Sequence, residues 1–307
     1  MKASTDEHTH DTHPMDNIEV RPFKFAFEDM RPEEAVWSDN SELFAIFANA
    51  FNLHVPYFEQ YLVRTIVRAI KRMDDPALVA DAKAIIGQEA HHAHSFKAFN
   101  RVLARRYPQA KRLESEAKAF FKAHEKDDSF KEMVGFTAGY ETFTFLAGMI
   151  FLEKYEEWFS NSDPAVKAMW VWHQVEEVEH GAVAFDVYKH FFQKDESYRR
   201  RMVVKAAWLI LSETAIAYGH MCRIEGHWRN PLRALKAVSF FVSMVAKMAW
   251  NVLPVFSSGY HPRNHPLATT DQNEIAVSWR RFHKAGGDVL AIDREKMARI
   301  MKLQTVG

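Results

Sequence analysis

Apolar residues recur along this chain every three or four positions over long stretches, and no convincing two-residue alternation interrupts them. That period marks helices with one buried face, so an all-α fold is expected. Five long helices follow from it. The first covers about residues 41–73, with Ser41 as N-cap and a kink at Pro56. Asp75-Pro76 opens the second, which runs to about Tyr107, where Pro108 stops it. Proline suits a first helical position because the N–H it lacks has no partner there. A charged helix covers about residues 109–126, and the next about 129–159. Asp163-Pro164 then repeats the start signal for a helix reaching about Phe192. Beyond residue 200, the stretches 202–218 and 238–256 are rich in large apolar side chains. Lys205 and Glu213 interrupt the first, Lys247 and Pro254 the second, so neither is a clean span of about 20 apolar residues. Two helices packed on the body are expected. An interfacial patch or a tunnel wall for a lipophilic substrate is the sharper alternative.

Charged residues interrupt the apolar stripes at particular places. The stripe Val166, Trp170, His173, Glu177, His180, Ala184 and Val187 advances by three or four residues throughout. A second runs Ile85, Glu89, His92, Phe96, Phe99 and Leu103. A third holds Val134, Ala138, Glu141, Phe145, Gly148 and Leu152, and a fourth Ala48, Asn52, Val55, Glu59, Leu62 and Ile66. Four helices thus aim a carboxylate at one core, and two add a histidine through Glu-x-x-His. A buried carboxylate costs several kcal/mol even after relaxation, and four together do not stay ionised without cations. Two divalent ions carry four positive charges and make such a core neutral. A lone Glu from each of two helices, with Glu-x-x-His from each of two others, is the pattern of carboxylate-bridged di-metal bundles. The two bridging candidates, Glu89 and Glu177, are the expected catalytic pair. Glu176 is a candidate for orienting a histidine from outside. His91 and His94 lie off the stripe and are expected at the surface. Tyr140 and Trp170 flank the site as core packing.

These residues give the chain a resemblance to the ferritin-like di-iron carboxylate superfamily, with a ferritin-like four-helix bundle. More closely, residues of about 21–270 resemble the bacterial family called predicted metal-dependent hydrolases. The segments Gly87-Gln88-Glu89-Ala90-His91-His92 and His173-Gln174-Val175-Glu176-Glu177-Val178-Glu179-His180 carry the likeness, together with Gly259-Tyr260-His261-Pro262. His173, one turn before Glu177, makes the last helix similar to that of di-iron arylamine N-oxygenases, which use a seventh ligand. That similarity implies Glu59 and His92 on a first metal, and Glu141, His180 and His173 on a second, with Glu89 and Glu177 bridging. The other reading of His173 has it bonded to a carboxylate outside the ligand set.

Composition narrows the rest. Forty Lys plus Arg balance forty Asp plus Glu, so nothing points to nucleic acid. Cys222 is the only cysteine, which rules out an intrachain disulfide and a thiolate zinc cluster and fits a reducing, cytoplasmic setting. Residues 1–20, with His8, His10 and His13, read as a disordered tail. Residues 21–270 read as one helical di-metal domain: a core bundle over about 41–193, then apolar helices over about 196–256. Residues 271–307 form an extension. Mixed nitrogen and oxygen ligands suit two iron ions, with manganese or a mixed Mn/Fe pair as variants. The leading expectation is an oxidoreductase that activates dioxygen to hydroxylate, N-oxygenate or desaturate a small, apolar substrate, supplied by an electron donor. The alternative is a hydrolase using a metal-bridging hydroxide; metal storage is a third class. A homodimer and peripheral membrane contact complete the expectations.

Overall fold

The computed structural model describes residues 13–268 and 273–290. It is all-helical, and the one β-bridge among the described residues is the isolated pair Ser38 and Ser162. The helices are α1 (Glu42–Asn52), α2 (Val55–Ile70), α3 (Pro76–Arg106), α4 (Ala110–Asp127), α5 (Phe130–Glu153), α6 (Tyr155–Trp158), α7 (Pro164–His180), α8 (Val183–Phe192), α9 (Glu196–Ile224), α10 (Pro231–Val252) and α11 (Glu274–Lys284). Their starts are written locally. Asp75, Asp163 and Asn230 each accept two backbone N–H groups of the turn they open, and each is followed by proline. Ser129 and Glu132 form a reciprocal capping box at the head of α5.

α5 is the centre of the molecule. From Met133 to Leu152 every residue but Thr142 is buried. It packs on α7, α8 and α9, while α2 lies along α3, and α1 lies on α9. Two glycines set how closely α5 approaches its neighbours. A Cβ on Gly139 would stand 2.6 Å from the Met202 carbonyl oxygen of α9, and one on Gly148 would stand 3.2 Å from Cβ of Glu177 on α7. Glycine at 148 therefore lets α5 come close to α7 at the level of Glu177.

Several expected boundaries shift. The first helix is not kinked at Pro56; it breaks at Leu53 and His54. Pro56 instead sits in the first turn of α2, where its missing N–H costs nothing. The helix expected over 129–159 ends at Glu153, with the short α6 after it. The last core helix stops at His180, and Gly181 and Ala182 separate it from α8. A Cβ on Gly181 would lie 2.4 Å from the Phe145 ring, so this turn is held against α5.

The expected tail is shorter than residue 20. His13 Nε2 is 3.1 Å from the carbonyl oxygens of both Arg263 and Ala268, and Met15 is buried. Residues 1–12, with His8 and His10, lie outside the described residues, as do 269–272 and 291–307 of the C-terminal extension. Within that extension, α11 packs by Trp279, which is fully buried against Phe23 and His283.

Candidate metal centre

Four helices carry the seven expected residues into one interior: Glu59 on α2, Glu89 and His92 on α3, Glu141 on α5, and His173, Glu177 and His180 on α7. All seven are buried. They form two groups, Glu59–His92–His173–Glu177 and Glu89–Glu141–Glu177–His180. Within each, one ligand atom per residue lies within 4.8 Å of all the others. Glu177 belongs to both. Its Oε1 is 2.9 Å from His173 Nε2 and 3.8 Å from His92 Nδ1, and its Oε2 is 3.3 Å from His180 Nε2. Glu89 stands with the second group, at 3.0 Å from His180 Nε2; its other oxygen lies 3.7 Å from His92 Nδ1.

One expected grouping is corrected. His173 does not join Glu141 and His180. Its Nε2 is 3.5 Å from Glu59 and faces the His92 side of the site. It lies one turn earlier on α7 than Glu177, and α7 carries it toward α2 and away from the Glu141 level of α5.

A ring of polar partners fixes the histidines from behind. Glu176 is buried, and its Oε2 accepts from His92 Nε2 at 2.9 Å, because a carboxylate can only accept. His92 therefore presents Nδ1 to the interior. Gln88 donates through its amide nitrogen to the Glu19 carbonyl and to Glu179. Its oxygen is thereby turned to His180 Nδ1 at 2.9 Å, so His180 presents Nε2 inward. The Gln174 amide lies 2.7 Å from His173 Nδ1, and the Gln174 oxygen has no hydrogen-bond partner. It is the amide nitrogen that faces Nδ1, and His173 presents Nε2 inward, 2.9 Å from Glu177 Oε1 and 3.5 Å from Glu59 Oε1. Arg21 ties the ring together. Its guanidinium donates to Glu176 at 3.0 Å and to both oxygens of Glu179 at 2.8 and 2.9 Å.

Glu176 was thus legible as a candidate, whereas Arg21, Gln88 and Glu179 were not singled out. The only sequence signal for Glu179 and Gln88 is a polar residue in a mostly buried helix. Arg21, about 155 residues away from Glu176 in the chain, offered none. His91 is half-buried and His94 exposed, off the site as expected.

The interior holds polar atoms that the protein does not satisfy. Both oxygens of Glu59 and of Glu89, Glu141 Oε2, His92 Nδ1 and His173 Nε2 are buried without a hydrogen-bond partner. Buried polar atoms normally find one, and here the orphans converge. Three imidazole nitrogens and four carboxylates fit cations in number, type and charge.

The same crowding governs the protons. Burial, then repulsion from Glu177 and Glu89, pushes the Glu141 carboxyl up to about 8. Burial likewise pushes Glu59 up to about 7. Burial disfavours charge on His92, but its hydrogen bond to Glu176 and the nearby Glu89 carboxylate prevail and raise it to about 10. Glu177, though buried, is held well below the usual carboxylate range by His180 and His173. A consequence follows for the metal-free protein. The unfolded chain releases the two glutamate protons near pH 4.5 and the histidine proton near 6.5, while the folded protein holds them on Glu59 to about 7, on Glu141 to about 8 and on His92 to about 10. Stability then falls as pH rises from about 6.5 to about 10. Thermal denaturation at pH 6.5, 8 and 9.5 should show Tm decreasing stepwise, with added divalent metal reversing the trend.

Two concavities lie near the centre. Glu89 forms part of the floor of a groove between α2 and α3, with Gln60, Arg64, Ala93, His94 and Lys97 around it. An apolar cavity of about 240 Å³ lies between α1, α5, α9 and α10, lined by Phe51, Phe143, Ala147, Ile210, Met244 and their neighbours. Phe143 and Ala147 face away from Glu141 on α5, so the cavity and the acid–histidine cluster are on opposite sides of that helix. The expected tunnel wall therefore does not open directly onto the cluster. A buried chain leads from Tyr140 on α5 to the cavity wall: Tyr140 OH is 2.6 Å from His54 Nδ1, and His54 Nε2 is 3.2 Å from Thr214 Oγ1. Burial holds His54 down at about 3, so it is neutral.

Comparison with protein families matches residues 19–266 to the family described as predicted metal-dependent hydrolases. No curated protein and no solved structure matches the chain.

Proposed function

Because the chain belongs to this family of predicted metal-dependent hydrolases, we propose that it is a hydrolase working with two divalent cations held by Glu59, Glu89, His92, Glu141, His173, Glu177 and His180. The observation that carries the reading is the convergence of these seven buried side chains, in two groups sharing Glu177, with seven of their polar atoms unpartnered. On this reading α2, α3, α5 and α7 form a ferritin-like bundle, the pattern in which facing helices build a dinuclear site from glutamates and Glu-x-x-His pairs. When bound, the cations supply Lewis-acid activation of water or, if they are iron, dioxygen chemistry. The protein's own part is to hold geometry and exclude water. Glu176 and Gln88 fix which nitrogen His92 and His180 offer, and Trp172 packs edge-on to His92 with ring centroids 4.7 Å apart. The substrate would approach over the α2–α3 groove, which Glu89 helps to line.

Glu176→Gln is expected to weaken metal binding at the His92 side by 10- to 100-fold, the usual effect of losing a histidine-orienting carboxylate. Titration with a metallochromic competitor measures it. An unchanged affinity would assign Glu176 to packing alone.

A second reading, a di-iron or manganese oxygenase with dioxygen and an electron donor as partners, is favoured by one observation. Three histidines beside four carboxylates is a nitrogen-rich set suited to iron or manganese, and zinc sites usually hold fewer carboxylates. The deciding experiment loads chelator-stripped protein anaerobically with zinc, manganese or ferrous iron, and confirms uptake by elemental analysis. Each form is then offered a panel of ester, amide and phosphate substrates. Turnover without dioxygen, including by the zinc form, supports the hydrolase. Dioxygen uptake by the ferrous form with a new ferric absorption band, and no anaerobic turnover, supports the oxygenase. Protein that binds none of the three metals sinks both.

A further inference from the structure

The α9–α10 hairpin buries one side and leaves the other uncovered. α9 packs by Val203, Ala206, Ala217 and Met221 onto α5 and α1, and Tyr218 OH donates to the Ala237 carbonyl to tie α10 to it. The opposite side exposes large apolar groups. Trp208 is 73% exposed, Trp250 74%, Leu232 70% and Leu235 66%, with Val204, Val238, Val242 and Leu253 among them. On α10 and the turn that follows it, the exposed positions Leu232, Leu235, Val242, Ala246, Trp250 and Leu253 advance by three, four or seven, which makes one continuous stripe. A soluble protein rarely leaves so continuous a stripe bare. Both helices are long and apolar enough to cross a membrane by length and composition alone. A crossing, however, would strip α9 from α5 and α1.

Charge gives the second observation. Residues 196–256 hold nine Lys or Arg against three Asp or Glu, a net of +6 in a chain whose formal net charge is zero. Glu196 and Glu225 are committed to ion pairs, with Lys189 and Arg199, and with Arg106. The exposed cations include Arg201 and Lys205 on the N-terminal part of α9, within two turns of Trp208 in the sequence, and Arg223, Arg229 and Lys236 around the α9–α10 turn that holds Trp228; Lys205 also lies over the Phe136 ring of α5. An apolar middle flanked by tryptophan and basic residues is what a lipid interface takes up: aromatic rings and aliphatic groups enter the headgroup boundary while cations meet anionic lipid.

We propose that the outer face of the α9–α10 hairpin docks flat on an anionic lipid bilayer. The alternative occupant, a second copy of this chain on the same face, brings one cationic hairpin against another. Docking requires nothing of the metal centre, and the cavity beneath the hairpin becomes the part of the interior nearest the lipid.

The test uses the full chain and sucrose-loaded vesicles of phosphatidylcholine, with and without phosphatidylserine. Co-sedimentation with the anionic vesicles is expected, at least about tenfold stronger than with phosphatidylcholine alone and falling with added salt. Arg229→Gln with Lys236→Gln should weaken it roughly tenfold or more, at about 1 kcal/mol per cation. Trp208→Ser with Trp250→Ser should abolish it; both rings are largely exposed, so unchanged circular dichroism and Tm are expected of that variant. Brominated lipid should quench tryptophan emission in the wild type and not in the double tryptophan variant. Equal partition to both vesicle types, or none, would overturn the proposal. So would a dimer in vesicle-free buffer that the double tryptophan variant dissolves, since the face would then belong to a second copy.

Discussion

Glu177→Ala should leave the protein unable to retain metal at either position. Glu177 is the one residue common to the two groups, with one oxygen toward His173 and His92 and the other toward His180. Its removal takes an anion from both positions at once. Three residues then remain in each group, with one carboxylate left in the first and two in the second. Elemental analysis after loading and gel filtration should drop from two ions per chain to nearly none. Glu141→Ala is the control, because Glu141 belongs only to the second group, and it should spare the first position. Glu89→Ala is expected to resemble Glu141→Ala more than Glu177→Ala, although its second oxygen leans toward His92. Two ions retained at full occupancy in Glu177→Ala would defeat the shared-ligand reading. Histidines that stay in place without metal would be a separate matter, visible in their NMR titration.

The second large effect is on folding. Arg21→Ala leaves Glu176 and Glu179, both buried, without their shared cation. Breaking one side of a buried ion pair typically costs about 3–5 kcal/mol, because the remaining charge is desolvated; His92 still faces Glu176 and Arg280 lies 4.0 Å from Glu179, so the lower end of that range is expected. In a chain of this size that corresponds to a Tm lower by roughly 10 °C. The Glu179 carboxyl is already raised by burial even with Arg21 in place, and loss of the guanidinium should raise it further. Arg21→Lys should recover part of the loss; an ammonium supplies charge but not the fork that reaches Glu176 and both Glu179 oxygens. Denaturant unfolding of the three proteins measures the series. A loss below about 1 kcal/mol, typical of exposed pairs, would show that the N-terminal segment does not hold Arg21 where the structure has it. Metal affinity offers a second readout, since Arg21 anchors the carboxylate that orients His92.

What a single helix does was open to reading along the chain. The three-and-four spacing that aligns His173, Glu177 and His180 is a property of the helix itself, as are the caps at Ser41, Asp75 and Asp163. The burial of four glutamates on separate helices followed from the apolar company each keeps. The long apolar pair near the C-terminus was equally visible. Periodicity fixes a face, however, not the neighbour it meets or the height at which it meets it. It could not tell that α7 would carry His173 to Glu59 and His92 instead of to Glu141 and His180, because that depends on axial offset between packed helices. Nor could it break the first helix at His54. That residue, uncharged and hydrogen-bonded between Tyr140 and Thr214, is held by partners 86 and 160 positions away. Arg21 is the clearest case: an unremarkable cation near the chain start becomes the shared partner of two buried acids only when α7 and the N-terminal segment are brought together. Local chemistry, repeated at helical spacing, determined which side chains would be buried. Only long-range packing, which no local period encodes, decided which of them would meet, and that the apolar hairpin would cover α5 with one side and leave the other bare.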